Sequence, residues 1–318
     1  MKNVIINGTG CYLPNYILNN KELGSKINTS DKWIYTRTGI KKRHIASNYE
    51  TTSFMACKAA LNALENSNIN AIDIDLILVA TCTPNYFFPN IASHIQKALN
   101  VTHSIPSFDI NAACSGFIYA MDIAKQYISS GNAKHILIVG SEVMSKTLNW
   151  VDRSTCVLFG DGAGAIILSE SNKPGILSSI LYTKYDVNSL LMYKNYSSKK
   201  KKSFIKMKGN KIFKLSVKII ENIINKVLDS CQLNKTDISW LIPHQSNIRI
   251  IQAVAKKLNF PMSQVIITIK NQGNTSAASI PLALDYAIRQ KKKIKQNDLL
   301  LLESFGGGIT CGAMLIRY

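Results

Sequence analysis

The sequence predicts a layered α/β fold built from two duplicated halves, residues 1–171 and 172–318, and three observations carry that expectation. The chain has 318 residues, 46% of them hydrophobic, enough to bury a large core. Continuously apolar strand patterns alternate with helical ones, which argues for parallel sheet covered by helices on both faces. Segments also recur at an offset of about 164 residues, longer than solenoid repeats and therefore a sign of whole-half duplication.

The first repeated element runs from Leu64-Glu65 through Asn70 into Asp73-Ile74-Asp75-Leu76-Ile77-Leu78. It matches Leu228-Asp229 through Asn234 into Asp237-Ile238-Ser239-Trp240-Leu241-Ile242, and both read as helix end, turn and buried strand. Next, Ala120-Met121-Asp122 matches Ala283-Leu284-Asp285 within helices, and the strand at 136–139 matches that at 299–302. Each half then closes on a glycine-rich turn and an apolar strand, Asp161-Gly162-Ala163-Gly164-Ala165-Ile166-Ile167-Leu168 in one and Gly306-Gly307-Gly308 leading to Gly312-Ala313-Met314-Leu315-Ile316 in the other. These look like terminal hairpins. The segment 182–203 breaks the pattern and carries Lys199-Lys200-Lys201-Lys202, which reads as a solvated loop.

Composition excludes several function classes. No apolar run reaches the roughly 18 residues of a membrane span, and residues 1–10 lack the basic-then-apolar plan of a secretory signal. The expectation is a soluble protein of a reducing compartment, bacterial cytoplasm or an organelle stroma. Seven cysteines (Cys11, Cys57, Cys82, Cys114, Cys156, Cys231, Cys311) are scattered singly, so neither a disulfide framework nor a zinc site follows. A net charge of +19 invites a nucleic-acid reading. Lys, Asn and Ile are abundant everywhere, however, and no recognition motif accompanies the charge, so no nucleic-acid partner is expected. An acidic protein or a phosphorylated cofactor remains a fitting partner for a basic surface.

Three polar residues stand where strands give way to helices. Cys114 lies in Asp109-Ile110-Asn111-Ala112-Ala113-Cys114-Ser115-Gly116-Phe117, which places its sulfur at a helix N-terminus. The free N–H groups and macrodipole there favour thiolate, which predicts a thiol pKa below the usual value of about 8.5. The other six cysteines read as inert. Among five histidines, His44, His94, His103 and His135 have no evident partner. His244 ends the apolar strand Trp240-Leu241-Ile242-Pro243, where ligands are met in open α/β sheets. Asn274, in Gly273-Asn274-Thr275-Ser276-Ala277-Ala278, opens the helix that the repeat pairs with the Cys114 helix. If a pseudo-twofold relates the halves, both helix starts converge on one site.

The chain resembles the 3-oxoacyl-[acyl-carrier-protein] synthase III family of the thiolase superfamily nearly end to end. The matching stretches are Gly8-Thr9-Gly10 with Leu13-Pro14, Trp33-Ile34-Tyr35-Thr36-Arg37-Thr38-Gly39-Ile40, Ala112-Ala113-Cys114-Ser115-Gly116-Phe117, Phe159-Gly160-Asp161-Gly162-Ala163-Gly164, Pro243-His244-Gln245-Ser246-Asn247, Gly273-Asn274-Thr275-Ser276-Ala277-Ala278 and Phe305-Gly306-Gly307-Gly308. The resemblance implies a thiolase-like αβαβα body and the initiating condensation of type II fatty acid synthesis. On that reading Cys114 takes an acyl group from acyl-CoA, and His244 and Asn274 hold the malonyl-carrier-protein thioester as it decarboxylates. The N–H groups of Cys114 and Gly307 would form an oxyanion hole. Trp33, Arg37 and Arg153 resemble CoA-nucleotide contacts, and Gly209 and Asn247 resemble residues lining the pantetheine tunnel. Phe88 resembles the residue that closes the acyl pocket of a neighbouring subunit, implying a homodimer. The substrates implied are acyl-CoA and malonyl-acyl carrier protein, with no tightly bound cofactor and no metal.

Arg249, Lys256 and Lys257 sit on the helix after Asn247 and read either as a solvated face or as a dock for the acidic carrier protein. The chain departs from the family at Ser115, where Ala is frequent, at Cys311, where an aromatic is common, and in the lysine-rich loop 185–202. A papain-like protease shares the order Cys, His, Asn but requires a local cysteine signature that is missing. A degradative thiolase requires a second cysteine where this chain has Phe305. A non-catalytic binding module leaves the placement of all three polar residues without a reason. Starter synthases of polyketide or quinolone pathways, and the identity of the acyl starter, stay open.

Overall fold

The computed structural model describes residues 2–193 and 203–318. The Lys199–Lys202 run lies outside them. Two mixed sheets carry the fold. The first has the strand order Asn3–Tyr12, Asp161–Ser171, His135–Val143, Leu76–Ala80, Ser107–Ile110. The second has the order Trp240–Pro243, Leu299–Gly306, Thr310–Arg317, Ile176–Thr183.

The same pairing pattern runs through both. Leu76–Ala80 lies parallel to His135–Val143, which is antiparallel to Asp161–Ser171, itself antiparallel to Asn3–Tyr12. In the second sheet Trp240–Pro243 lies parallel to Leu299–Gly306, followed by two antiparallel pairs. Even the fifth strand of the first sheet has a counterpart, reduced to a parallel bridge between Leu241 and Val265. The prediction of parallel sheet therefore holds only at one end of each sheet, for Leu76–Ala80, Ser107–Ile110 and His135–Val143 in the first and for Trp240–Pro243 and Leu299–Gly306 in the second. Their connections contain helices such as Gly116–Ser129, long enough to bring the chain back in the same direction. Leu299–Gly306 instead turns at once through Gly307–Ile309, and so short a link permits only an antiparallel return.

Five layers result. The helices Gly116–Ser129 and Ser279–Asp285 lie between the sheets, where Phe117, Met121, Ile280 and Leu284 pack with Leu76, Leu78, Leu300 and Leu302. Thr52–Glu65 and Ile91–Ala98 cover the outer face of the first sheet through Met55, Ala59 and Ile95 against Ile77 and Val79. Gly209–Asp229 and Ile248–Lys257 cover the second through Ile224, Val227 and Val254 against Leu241 and Leu301. Leu76, Leu78 and Ala80 thus face one core and Ile77 and Val79 the other, so an inner strand has no polar face and its sequence shows no alternation. No helix among the described residues is long and apolar enough to cross a membrane.

The central layer is tight where its two helices begin. A Cβ added at Gly140 would stand 2.5 Å from the Ala277 carbonyl oxygen, and one at Gly164 would stand 2.6 Å from the Leu282 nitrogen. Both neighbours are backbone and cannot swing aside. Gly140→Ala is expected to lower stability by about 1–3 kcal/mol, the usual range for overpacking. Denaturant unfolding checks this, and an unchanged midpoint would mean that the central helix has room to move.

Candidate active site

The repeat delivers two matching turns to one place. Asn111 Oδ1 accepts from the Ala113 N–H at 3.1 Å, and Asn274 Oδ1 accepts from the Ser276 N–H at 2.9 Å. Ala113 and Ser276 both take a left-handed backbone, with φ of 48° and 50°. Each turn leads through a short 3-10 segment, Ala113–Ser115 or Ser276–Ala278, into a central helix. The Ser276 hydroxyl meets Cys114 Sγ at 3.6 Å, so the two helix starts are in contact.

Cys114 is 6% exposed and lies where two cavities meet. One, about 420 Å³, is lined by Trp33, Arg37, Arg153, Gly209, Asn247 and Arg249 toward its mouth and by His244, Asn274, Glu303 and Phe305 toward Cys114. The other, about 910 Å³, includes Cys82, Phe87, Met144, Leu191, Ser276 and Gly307. Cys114, Phe159 and Leu191 belong to both.

His244 follows directly on its strand and is held by that strand's neighbours. Its N–H donates to the Glu303 carbonyl at 2.8 Å. Gln245 spends its whole amide on backbone, donating to the Pro243 and Ile266 carbonyls and accepting from the Thr268 and Ile269 N–H groups, which fixes the turn. The imidazole Nδ1 lies 2.6 Å from Ser279 Oγ, which also accepts from the Gln245 N–H at 3.4 Å. A Ser279 hydroxyl that donates to Nδ1 leaves the hydrogen on Nε2, the tautomer that turns a donor toward the cavity. Nε2 is buried without a partner in the structure. Burial lowers the His244 pKa to about 3, so the ring is neutral.

Asn274 is oriented by the same logic. Its backbone N–H donates to the Leu158 carbonyl and its carbonyl accepts from Gly160. With Oδ1 committed to Ser276, its side-chain NH₂ is the group left for the cavity. The neutral His244 ring and the Asn274 amide therefore line the same cavity as the Cys114 sulfur.

The expectation of a lowered thiol pKa is not met. Burial pushes the Cys114 thiol up to about 11, outweighing the Ser276 hydroxyl and the Cys114 N–H, which act the other way. The helix start is where the sequence put it, but the sulfur sits too deep in protein for that setting to hold a thiolate by itself. Glu303, behind His244, is pushed by burial up to about 8 and is protonated at neutral pH.

At the mouth, Ser30 caps the helix Asp31–Thr38 by accepting from the Trp33 N–H, and the helix stops at Gly39 with φ of 78°. The Trp33 ring then meets two guanidinium groups, Arg153 at 4.6 Å and Arg37 at 5.8 Å from its centroid. Arg153 is anchored on the Asn28 carbonyl. Asn247 caps Ile248–Lys257 through Oδ1, leaving its amide hydrogens for the cavity. Arg249 lies 5.7 Å over Phe213, Lys256 is exposed, and Lys257 pairs with Glu221 at 2.9 Å. Phe88 is 86% exposed and does not line the Cys114 cavities of its own chain, whereas Phe87 beside it does.

Gly307 lines the larger cavity beside Cys114, and the turn before it packs on the nucleophile. A Cβ at Gly306 would stand 2.8 Å from the Cys114 nitrogen. Two of the three departures from the family pattern have local reasons. Ser115 donates to the Thr310 carbonyl at 2.8 Å, and Cys311 is buried in the second sheet's outer core. Sequence reasoning missed Ser276, Ser279, Gln245 and Glu303. Ser279 was the most findable, as a polar residue on an otherwise apolar helix directly after the Asn274 motif. Among the described residues no cluster of His, Cys, Asp or Glu could hold a metal ion.

Residues 108–184 match the family described as 3-oxoacyl-[acyl-carrier-protein (ACP)] synthase III, and residues 228–318 match its C-terminal region. The chain is 48% identical over 314 residues to beta-ketoacyl-[acyl-carrier-protein] synthase III of Coxiella burnetii, covering 98% of each chain. It superposes on the crystal structure of 3-oxoacyl-[acyl-carrier-protein] synthase III from Aquifex aeolicus with a TM-score of 0.95 at 46% identity, covering 99% of this chain and 100% of that one. A priming beta-ketosynthase of a polyketide pathway is 31% identical, with a TM-score of 0.94 over 99% of this chain and 96% of the other.

The tautomer can be tested directly. Nitrogen-detected NMR of labelled histidine should show His244 as a neutral Nε2–H ring throughout about pH 5 to 8, a range in which an ordinary histidine titrates. Ser279→Ala should mix the two tautomers. Titration of His244 near its ordinary value would contradict the burial argument.

Proposed function

Because the chain belongs to the 3-oxoacyl-[acyl-carrier-protein] synthase III family, the condensing enzymes that initiate fatty acid synthesis, we propose that Cys114, His244 and Asn274 divide the reaction between them. Cys114 sulfur attacks the thioester carbonyl of acyl-CoA, the new S–C bond forms, and CoA leaves as its thiol. Malonyl-acyl carrier protein then enters the same tunnel. Its thioester oxygen accepts from His244 Nε2–H and the Asn274 amide, and loss of CO₂ leaves an enolate held by those two donors. The enolate carbon attacks the acyl-Cys114 carbonyl and releases 3-oxoacyl-carrier protein and free Cys114.

The observation that carries this reading is the commitment of the other half of each side chain. Asn274 Oδ1 is engaged by the Ser276 N–H, and His244 Nδ1 lies against the Ser279 hydroxyl, so the amide and, with Ser279 as donor, the imidazole Nε2–H are turned to the cavity. A neutral imidazole suits the task, since an enolate held by a cation would be protonated rather than react. Fixed donors of this kind are worth roughly 10²–10³ in rate each. Cys114 and Gly307 N–H groups serve the tetrahedral oxyanion in the same way, and the close approach of the glycine turn to Cys114 supports that role.

Trp33 between Arg37 and Arg153 suits an adenine and its phosphates, and Gly209 and Asn247 line the passage inward for pantetheine. The exposed Arg249 and Lys256, with Lys257, form a basic approach to that mouth for the acidic carrier protein. Tyr86, Phe87 and Phe88 are exposed together, and a second copy of the chain would cover them, so that Phe88 closes the larger cavity of its partner. The chain works as a homodimer of two-half protomers, 1–171 and 172–318, in the cytoplasm or a comparable stroma. Nothing in these roles requires a bound cofactor.

Incubation with a panel of acyl-CoAs should add the mass of one acyl group to Cys114, and Cys114→Ser should remove the adduct. Absence of any adduct at Cys114 across the panel would refute the assignment.

A further inference from the structure

A second buried acid faces the nucleophile from the side away from His244. Glu142, near the end of the strand His135–Val143, is fully buried. Its carboxyl accepts from Thr83 Oγ1 at 2.5 Å, Cys82 Sγ at 3.1 Å, the Cys82 N–H at 3.2 Å and Thr81 Oγ1 at 3.3 Å. So many donors serve an ionised carboxylate, although burial works against them and raises its pKa. The residue common to this group and the nucleophile is Ser276. Its hydroxyl lies 3.6 Å from Cys114 Sγ and 3.8 Å from Cys82 Sγ, and the Cys82 thiol in turn reaches the Glu142 carboxyl.

The thiol needs such a neighbour. Cys114 is buried and holds its proton, and His244 is a poor acceptor for it, because burial lowers its pKa to about 3. We propose that Ser276 and Cys82 pass the Cys114 proton to Glu142, which stores it while the acyl group is on the sulfur. The inference rests on Cys114 being the acyl acceptor.

The proton count closes over one turnover. Cys114 S–H gives its proton to Ser276 Oγ as the Ser276 proton moves to Cys82 Sγ and the Cys82 proton to the Glu142 carboxylate, and the thiolate attacks acyl-CoA. The departing CoA thiolate takes its proton from water at the tunnel mouth. After condensation, the C–S bond to Cys114 breaks and leaves a thiolate. Glu142 then returns the stored proton through Cys82 and Ser276. Ser276 touches the reacting sulfur and is a catalytic residue in this scheme, whereas Glu142 acts through it. Among the described residues, the other titratable groups acting on the cluster are Cys82 and Cys114 themselves.

Simple electrostatics makes the opposite forecast, which gives the test its edge. A negative Glu142 raises the thiol pKa, so a mere neighbouring charge replaced by Gln should make Cys114 more reactive. The experiment measures the rate of Cys114 acylation by acyl-CoA and of its alkylation by iodoacetamide as functions of pH. Glu142→Gln and Ser276→Ala should each slow both reactions about 10²-fold at neutral pH, as loss of a proton acceptor does. Both profiles should then climb until the thiol ionises unaided, the double variant should be no slower than either single one, and Glu142→Asp should recover part of the rate. A rate at or above that of the parent in Glu142→Gln, or a parent-like pH profile in Ser276→Ala, overturns the proposal. Should Glu142→Gln fail to fold, Ser276→Ala and Glu142→Asp decide it with the same readouts. Failure of the parent protein to form any acyl adduct would strike the acyl-acceptor reading instead, while the alkylation profile would still test the relay.

Discussion

Everything in this site depends on one contact, that between the two asparagine-capped turns that open the central helices. Asn111 and Asn274 each fold back onto the N–H two residues ahead, and the next-but-one residue is driven into the left-handed region. Such a backbone costs roughly 1–3 kcal/mol at each non-glycine position. The strain persists because the surroundings leave no alternative, with Gly140 pressed on the Ala277 carbonyl and Gly306 on the Cys114 nitrogen. Through this contact, duplication of a plain α/β half becomes a site with different chemistry on its two sides. One turn presents a sulfur, and the other presents a hydroxyl and an amide.

Burial then sets the protonation state of each participant, with opposite consequences for opposite groups. It holds His244 neutral, which fits a hydrogen-bond donor to a developing enolate. It also holds Cys114 protonated, which does not fit a nucleophile. The helix start alone does not resolve that conflict, and the cluster of Ser276, Cys82 and Glu142 lies where a resolution is needed. The same depth that keeps water from an enolate thus forces the protein to supply its own path for a proton.

Much of the fold was legible because duplication writes itself into sequence as an offset. Paired apolar strands and paired helix starts survive even where residues differ. Strand direction was less legible, since an inner strand buried on both faces looks alike in parallel and antiparallel pairing, and only the length of a connection tells them apart. Cys114, His244 and Asn274 stood out as polar residues at the ends of apolar elements. Their partners did not, because Ser279 meets His244 across 35 positions and Ser276 meets Cys114 across 162. The nucleotide contacts at Trp33, Arg37 and Arg153 came from family resemblance, as no local pattern joins positions so far apart. The sign of the Cys114 shift was misjudged because a helix start is visible in sequence and depth of burial is not.

The central claim is that two neutral donors act on the extender thioester separately from the nucleophile. Asn274→Ala, assayed in parallel for acyl transfer to Cys114 and for CO₂ release from malonyl-acyl carrier protein, tests this most directly. The account predicts that the acyl adduct still forms while CO₂ release falls by about 10²-fold or more. Decarboxylation at the parent rate, or equal loss of both half-reactions, would contradict it.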